Sequence, residues 1–284
     1  MTSKCNGYTL DCKGQLITLD RPHIMGILNA TEDSFYAGSI VSTASAVDRA
    51  GRMLEEGADF LDIGGQSTRP GSRALDAAEE TDRVLPVVEA LRQHFPRALL
   101  SVDTYHTGVA RAAVEAGAVM VNDVSAGHLD PLMMATVAAL RVPYVAMHLR
   151  GTPQTMQQDP HYDDVTGEVF TYLAEATRKA NTAGIVDVIV DPGFGFGKTS
   201  AHNFRLLGEL DRLAILERPL LVGLSRKSMV YKTLGVTPEQ ALNGTTALHM
   251  VALIKGAHIL RVHDVAPARE VVRLWERLTP ANNR

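Results

Sequence analysis

The chain has 284 residues, 45% hydrophobic and 21% charged, with 28 Lys and Arg against 32 Asp and Glu and a formal net charge of −4. These values suit a globular protein with a large core. They exclude a general attraction to nucleic acid or an anionic membrane, so an anionic ligand must be held by local positive groups.

Cys5 and Cys12 are the only two cysteines, too few for a disulfide framework or a cysteine metal cluster. The first residues carry no apolar leader, and no apolar run is long enough to span a bilayer. The expectation is therefore a cytoplasmic protein without a membrane segment.

Taken in chain order, YTLDCKGQLITL reads as a hairpin around Cys12, Lys13 and Gly14. One rhythm then repeats, a short apolar run ending in a polar residue followed by a helical segment. The runs are HIMGILN to Asn29, DFLDIGG with Asp62, LLSVD to Asp103 and VMVND with Asn122 and Asp123. YVAMH to His148, DVIVD to Asp191, LLVGLS to Ser225 and ILRVHD with Arg261 and His263 bring the count to eight. Helical periodicity occupies 42–56, 76–94, 107–116, 165–184, 200–216 and 239–256. Nearly continuous apolar runs are the pattern of parallel strands buried on both faces, and their alternation with helices predicts a parallel sheet. Eight units in this length predict a (β/α)8 barrel, also called a TIM barrel, as a single domain over residues 1–284. Residues 1–20 are expected to form an N-terminal β-hairpin covering the barrel bottom. The rival is a doubly wound open sheet, whose glycine-rich turn after the first strand is missing, since Asn29 is followed by ATEDSF.

In a barrel, all these strand-end residues converge on the C-terminal mouth, where barrel active sites form. Singly, each also reads as a helix cap or turn former, and Asp62 and Asp123 are expected to be no more than that. Asp103, Asn122, Asp191 and Lys227 suit the donor and acceptor edge of a flat heterocycle, on which Arg261 can also stack. Lys227, Arg261 and His263 form a basic group that, beside Asn29, suits a phosphate or pyrophosphate. Arg226 is expected to point away from Lys227. Ser225 and Ser228 show no His-Asp relay in sequence, so no nucleophile is set up. His94, His202, His249 and His258 read as ordinary helix or surface histidines. The run DPGFGFGKT (191–199) is not a P-loop, because Pro192 stands where that motif needs glycine. Its glycines instead suit a backbone passing close under a flat ligand, and Lys198 is expected to brace the turn.

The strings MGILNATEDSF, DIGGQSTRPG, SVDTY, VNDVS, DPGFGFGK, GLSRKS and RVHDV, in this order over about 23–275, resemble the dihydropteroate synthase family of pterin-binding enzymes. The resemblance implies a barrel that commonly dimerises. It also implies condensation of 7,8-dihydropterin-6-ylmethyl diphosphate with 4-aminobenzoate, yielding pyrophosphate and 7,8-dihydropteroate for folate biosynthesis. Carried over by position, Asp103, Asn122, Met147, Asp191, Phe196, Lys227 and Arg261 resemble the pterin site. Asn29, Arg261 and His263 resemble the diphosphate site, with Mg2+ as the implied cofactor and Asn29 as its ligand. Phe35, Thr68, Pro70 and Ser228 fall where the aminobenzoate pocket is built, and Ser67 and Arg69 lie in the same second loop. The catalytic set implied is Asp103, Asp191, Lys227, Arg261 and His263.

The first loop departs from the family's pattern, with Glu32 at a proline position, Ala37 at an aspartate and Ser39 at a glycine, while Asp33 and Phe35 match. This departure bears on loop closure. Three rivals remain: a methyltetrahydrofolate–corrinoid methyltransferase, a non-catalytic pterin-binding paralogue, and a Schiff-base aldolase using Lys227. The basic group argues against the first, and a flexible, solvated position for Lys227 argues against the last.

Overall fold

A computed structural model describes residues 7–30, 39–66 and 73–278. Strands β1 (Tyr8–Cys12) and β2 (Gln15–Leu19) form the expected antiparallel hairpin, turned by Lys13 and Gly14 at positive φ. The strands β3 (His23–Asn29), β4 (Phe60–Gly64), β5 (Leu99–Asp103), β6 (Met120–Asp123), β7 (Tyr144–Met147), β8 (Val188–Asp191), β9 (Leu221–Val222) and β10 (Ile259–Val262) form one parallel eight-stranded sheet. Its order is β8-β7-β6-β5-β4-β3-β10-β9, and a parallel bridge between Val190 and Leu220 brings the two ends together. This is the expected barrel, not an open sheet.

Helices α1 (Ser39–Glu55), α2 (Ala77–His94), α3 (Thr107–Glu115), α4 (Met133–Leu140), α5 (Val165–Ala183), α6 (Ser200–Gly208), α7 (Ser228–Leu234), α8 (Leu242–Ile254) and α9 (Val265–Leu278) lie between and after the strands. The helical run expected over 200–216 breaks at Glu209, after which Leu210–Leu216 is a tighter 3-10 helix. Helix α8 starts at Leu242 because Thr237–Gln240 forms a turn closed by the Gln240 N–H on the Thr237 carbonyl. The sequence of α4, MMATVAAL, is almost wholly apolar and so carries no periodic signal.

Side chains two apart along a strand share a face, and this alternation divides the barrel interior into layers. Met25, Phe60, Leu99, Met120, Val145, Ile189, Leu221 and Ile259 cluster with Leu10, Cys12 and Leu19 of the hairpin. The hairpin therefore closes the bottom, as expected, and Cys12 is a buried free thiol there. Burial, with Asp187 and Asp11 nearby, pushes that thiol up to about 12, so it stays protonated and inert. Two residues further along β4, β5 and β6 the inward positions become polar.

Candidate active site

The register sets the mouth. Asn29, Gly64, Asp103 and Asn122 are lateral neighbours across four adjacent strands. A Cβ on Gly64 would lie in ordinary contact with the Asp103 side chain, 3.5 Å from its Cβ and 3.6 Å from Oδ2. One layer below, Arg261 on β10 crosses the barrel interior and donates from Nε to Asp62 Oδ2 at 2.6 Å and from Nη2 to Asp103 Oδ2 at 2.5 Å. Asn122 Nδ2 donates to the same Asp62 oxygen at 2.9 Å.

The expectation for Asp62 was wrong. It is no turn former but a fully buried carboxylate that anchors both Arg261 and Asn122. A readable signal existed, because a charge between Leu61 and Ile63 inside an apolar strand has to find a buried partner. Asp123 does hold its turn, accepting from the Ser125 and Gly127 N–H groups and from Tyr144 Oη.

Opposing fields act on these carboxylates. Burial pushes Asp103 up to about 7, Arg261 pulls it down, and the neighbouring Asp62, Asp123 and Asp191 push it up further. Burial also raises Asp191, against the pull of Lys227 and of the Gly193 N–H, which donates to Oδ1 at 2.7 Å. Arg261, held by two carboxylates, is raised despite its burial.

Lys227 caps α7 and donates through Nζ to the Phe194 carbonyl, with the ammonium 4.7 Å above the Phe196 ring. A Cβ built on Gly223 would stand in ordinary contact with it, 3.7 Å from Nζ. Burial lowers its pKa to about 8, with Asp191 opposing. Lys227 is thus a partly desolvated amine, contrary to the solvated loop position expected. Arg226 turns away as expected, with φ 54° and a two-pronged ion pair to Asp264 at 2.8 and 2.7 Å.

His263 differs from the expectation of a charged base. Burial, with Arg261 nearby, lowers it to about 4, so at neutral pH it is an uncharged donor or acceptor. Ser225, read in the sequence as lacking a His-Asp relay, does meet a histidine, its Oγ lying 3.0 Å from His263 Nδ1. Ser225 Oγ also accepts the His263 backbone N–H at 3.2 Å. This buried serine orients the histidine, and among the described residues no carboxylate bonds the other ring nitrogen to complete a relay.

Met147 and Phe196 join Val124, Leu149, Met156, Tyr105 and Leu129 in an apolar cluster at the mouth. Asn29 ends β3 and Ser228 begins α7 at the same rim. Phe35, Ser67, Thr68, Arg69 and Pro70 lie outside the described residues, as do Glu32, Asp33, Ala37 and Cys5. Nothing is described of the Ser39 side chain. Among the described residues no group of three His, Cys, Asp or Glu is arranged to hold a metal ion. The arrangement can therefore bind a flat, edge-polar ring against an apolar wall, with Arg261 and Lys227 carrying the positive charge beside it.

Residues 25–263 match the family model described as pterin binding enzyme. The Escherichia coli K12 dihydropteroate synthase is 43% identical over 270 residues, covering 94% of this chain and 95% of the relative. The Xanthomonas albilineans dihydropteroate synthase solved with 4-aminobenzoic acid superimposes with a TM-score of 0.89 at 46% identity, covering 96% of this chain and 98% of that one. The same enzyme in complex with 7,8-dihydropteroate gives 0.86 at 45% identity, over 95% and 98% of the two chains. With this fold, this mouth and these relatives, the chain belongs to the dihydropteroate synthase family of pterin-binding enzymes.

Proposed function

We propose that the mouth condenses 7,8-dihydropterin-6-ylmethyl diphosphate with 4-aminobenzoate, as in the folate-pathway enzymes it resembles. The arrangement that carries the reading is the charged network of Asp62, Asp103, Asn122 and Arg261 facing Asp191 and Lys227 over the Phe196–Met147 wall. Asp191, Asn122, Asp103 and Lys227 take the ring's polar edge, and Phe196 and Met147 take a face. Arg261, its edge fixed by two carboxylates, keeps its position while the ring stacks and the diphosphate leaves. Neutral His263, oriented by Ser225, donates a hydrogen bond to the diphosphate beside Asn29.

Loss of pyrophosphate leaves a cation conjugated with the pterin ring, and the Asp103 and Asp191 carboxylates stabilise it. The amine of 4-aminobenzoate attacks that carbon and then loses a proton, so no enzyme nucleophile is required. Phe35, Thr68, Pro70 and Ser228 form the aminobenzoate pocket. Asn29 supplies a single hard oxygen, which fits a Mg2+ ion held chiefly through the diphosphate; when bound, it offsets charge on the leaving group.

The chain acts as one domain and pairs as a homodimer, a reading supported by exposed Leu234, Val251, Ile254, Leu274 and Leu278 on α7, α8 and α9. We place it in the cytoplasm. Its free buried thiol suits that compartment, and among the described residues no helix is long and apolar enough to cross a membrane.

Pyrophosphate release with both substrates, with and without Mg2+, tests the reaction. Turnover dependent on both substrates and lost with EDTA is expected. Tight pterin binding without turnover would favour the non-catalytic paralogue, which the altered Glu32, Ala37 and Ser39 positions suggest.

A further inference from the structure

Lys198 ends the glycine-rich turn after β8, and the ring site described above makes no use of it. Its side chain is only 3% exposed, and Nζ lies 2.8 Å from His148 Nδ1, 2.9 Å from the Gly193 carbonyl and 3.1 Å from the Phe196 carbonyl. An ammonium has three protons and no acceptor capacity. Three polar partners surround Nζ, and burial holds the Lys198 pKa well below the usual lysine value, with Asp191 opposing; with Nζ donating to it, His148 Nδ1 is the unprotonated nitrogen. The His148 ring is held edge-on by Tyr172 at 4.8 Å, and its backbone N–H donates to the Asp191 carbonyl at 2.9 Å.

The other turn carbonyls are also fastened. Phe194 accepts from Lys227 Nζ, Gly195 from Gln157 Nε2 at 2.7 Å and Gly197 from Tyr162 Oη at 2.8 Å. Gly193 cannot be replaced, since a Cβ there would stand 2.0 Å from the His148 carbonyl. Lys198 therefore joins the residue that holds the Asp191 carboxylate, Gly193, to the residue that forms the pocket wall, Phe196. The charged and titratable groups facing it are Asp191, Lys227, Arg150 and His148.

We propose that Lys198 and His148 are a positioning pair for the pterin half of the reaction, fixing the spacing and orientation of Asp191 and Phe196 without touching substrate. The proposal rests on the reading of the mouth as a pterin site. A turn held merely for fold stability would need no buried lysine, because desolvating its amine opposes folding. Here a single Nζ draws the Gly193 and Phe196 carbonyls to one point, which two separate side chains would do less rigidly.

The test measures binding of the dihydropterin diphosphate alone by calorimetry, and steady-state kinetics for each substrate, in Lys198→Met, His148→Gln and His148→Phe. In Lys198→Met, pterin affinity is expected to fall about tenfold, the loss of a charged hydrogen-bonding group, while the KM for 4-aminobenzoate stays within about twofold. His148→Gln, whose amide oxygen can accept from Nζ, retains most of the affinity, and His148→Phe loses as much as Lys198→Met. The double variant Lys198→Met/His148→Phe is expected to be no worse than either single. Wild-type affinity in Lys198→Met, or equal losses for both substrates, overturns the proposal. Should Lys198→Met fail to fold, the His148 variants decide: Gln retaining what Phe loses supports the pair, and equal behaviour overturns it. A wild-type chain that binds no dihydropterin would remove the pterin reading of the mouth, and the pair's role with it.

Discussion

Arg261 Nε lies 2.6 Å from Asp62 Oδ2, joining residues 199 apart in sequence. Asp62 is fully buried and Arg261 largely so. Asp62 also receives Asn122, so one carboxylate sets the position of two groups that face the ring.

Asp62→Asn keeps the shape and removes the charge. Turnover with the pterin substrate is expected to fall at least about tenfold, since a buried guanidinium loses one of its two counter-charges. The KM for 4-aminobenzoate is expected to change little. Steady-state kinetics with each substrate varied in turn checks this, and wild-type pterin kinetics would reduce Asp62 to a space-filling role.

The neighbours Arg226 and Lys227 are expected to separate cleanly. Lys227→Ala removes a donor to the ring and the charge beside Asp191, and pterin binding should weaken by about 2 to 3 kcal/mol, on the order of a hundredfold. Arg226→Gln breaks the partly exposed pair with Asp264, for which about 1 kcal/mol of stability is expected with pterin affinity unchanged. Calorimetric titration and thermal melts of both variants distinguish the two effects. A large loss of pterin affinity in Arg226→Gln would place that side chain in the site after all.

Glu80 of α2 is buried behind Asp103, accepts from Thr104 Oγ1 at 3.0 Å, and stands under Gly65, where a Cβ would be 2.9 Å from its Cγ. Burial raises it to about 7, although the Thr104 hydrogen bond opposes this. A carboxyl raised on folding binds more protons folded than unfolded between about pH 4.5 and 7. Its contribution is therefore full below that window and lost as pH rises through it. Glu80→Gln should gain melting temperature relative to wild type at pH 8 compared with pH 5. The opposite trend would mean that Glu80 is ionised and paired in the folded chain.

His249 on α8 has both ring nitrogens buried without a hydrogen-bond partner among the described residues, and burial lowers it to about 4. The unfolded chain takes up the proton first as pH falls, so stability is lost between about pH 6.5 and 4. His249→Leu should flatten that part of the stability–pH curve and raise stability at pH 5 relative to pH 7. Urea unfolding at the two pH values measures it, and an unchanged slope would show that His249 finds a partner when protonated.

The fold was legible because its signals are local. Eight apolar runs with polar ends reflect strands buried on both faces, whose last inward residues meet water and ligand at one rim. Helix α4 escaped because an almost wholly apolar segment has no period. Asn122, Asp191 and Lys227 could be placed at the mouth by counting strand ends. The first and second loops, with Phe35, Thr68 and Pro70, lie outside the described residues.

By itself, then, the sequence determined the barrel, its plugged bottom and the polar composition of its mouth, because strand periodicity and strand-end chemistry are properties of short segments. Only the tertiary structure decided who partners whom. Asp62 with Arg261, Ser225 with His263 and Lys198 with His148 are contacts between residues distant in the sequence. Closing the sheet also decided charge, turning His263 neutral and drawing Lys227 down to about 8, because desolvation depends on everything packed around a group and not on its neighbours in the chain.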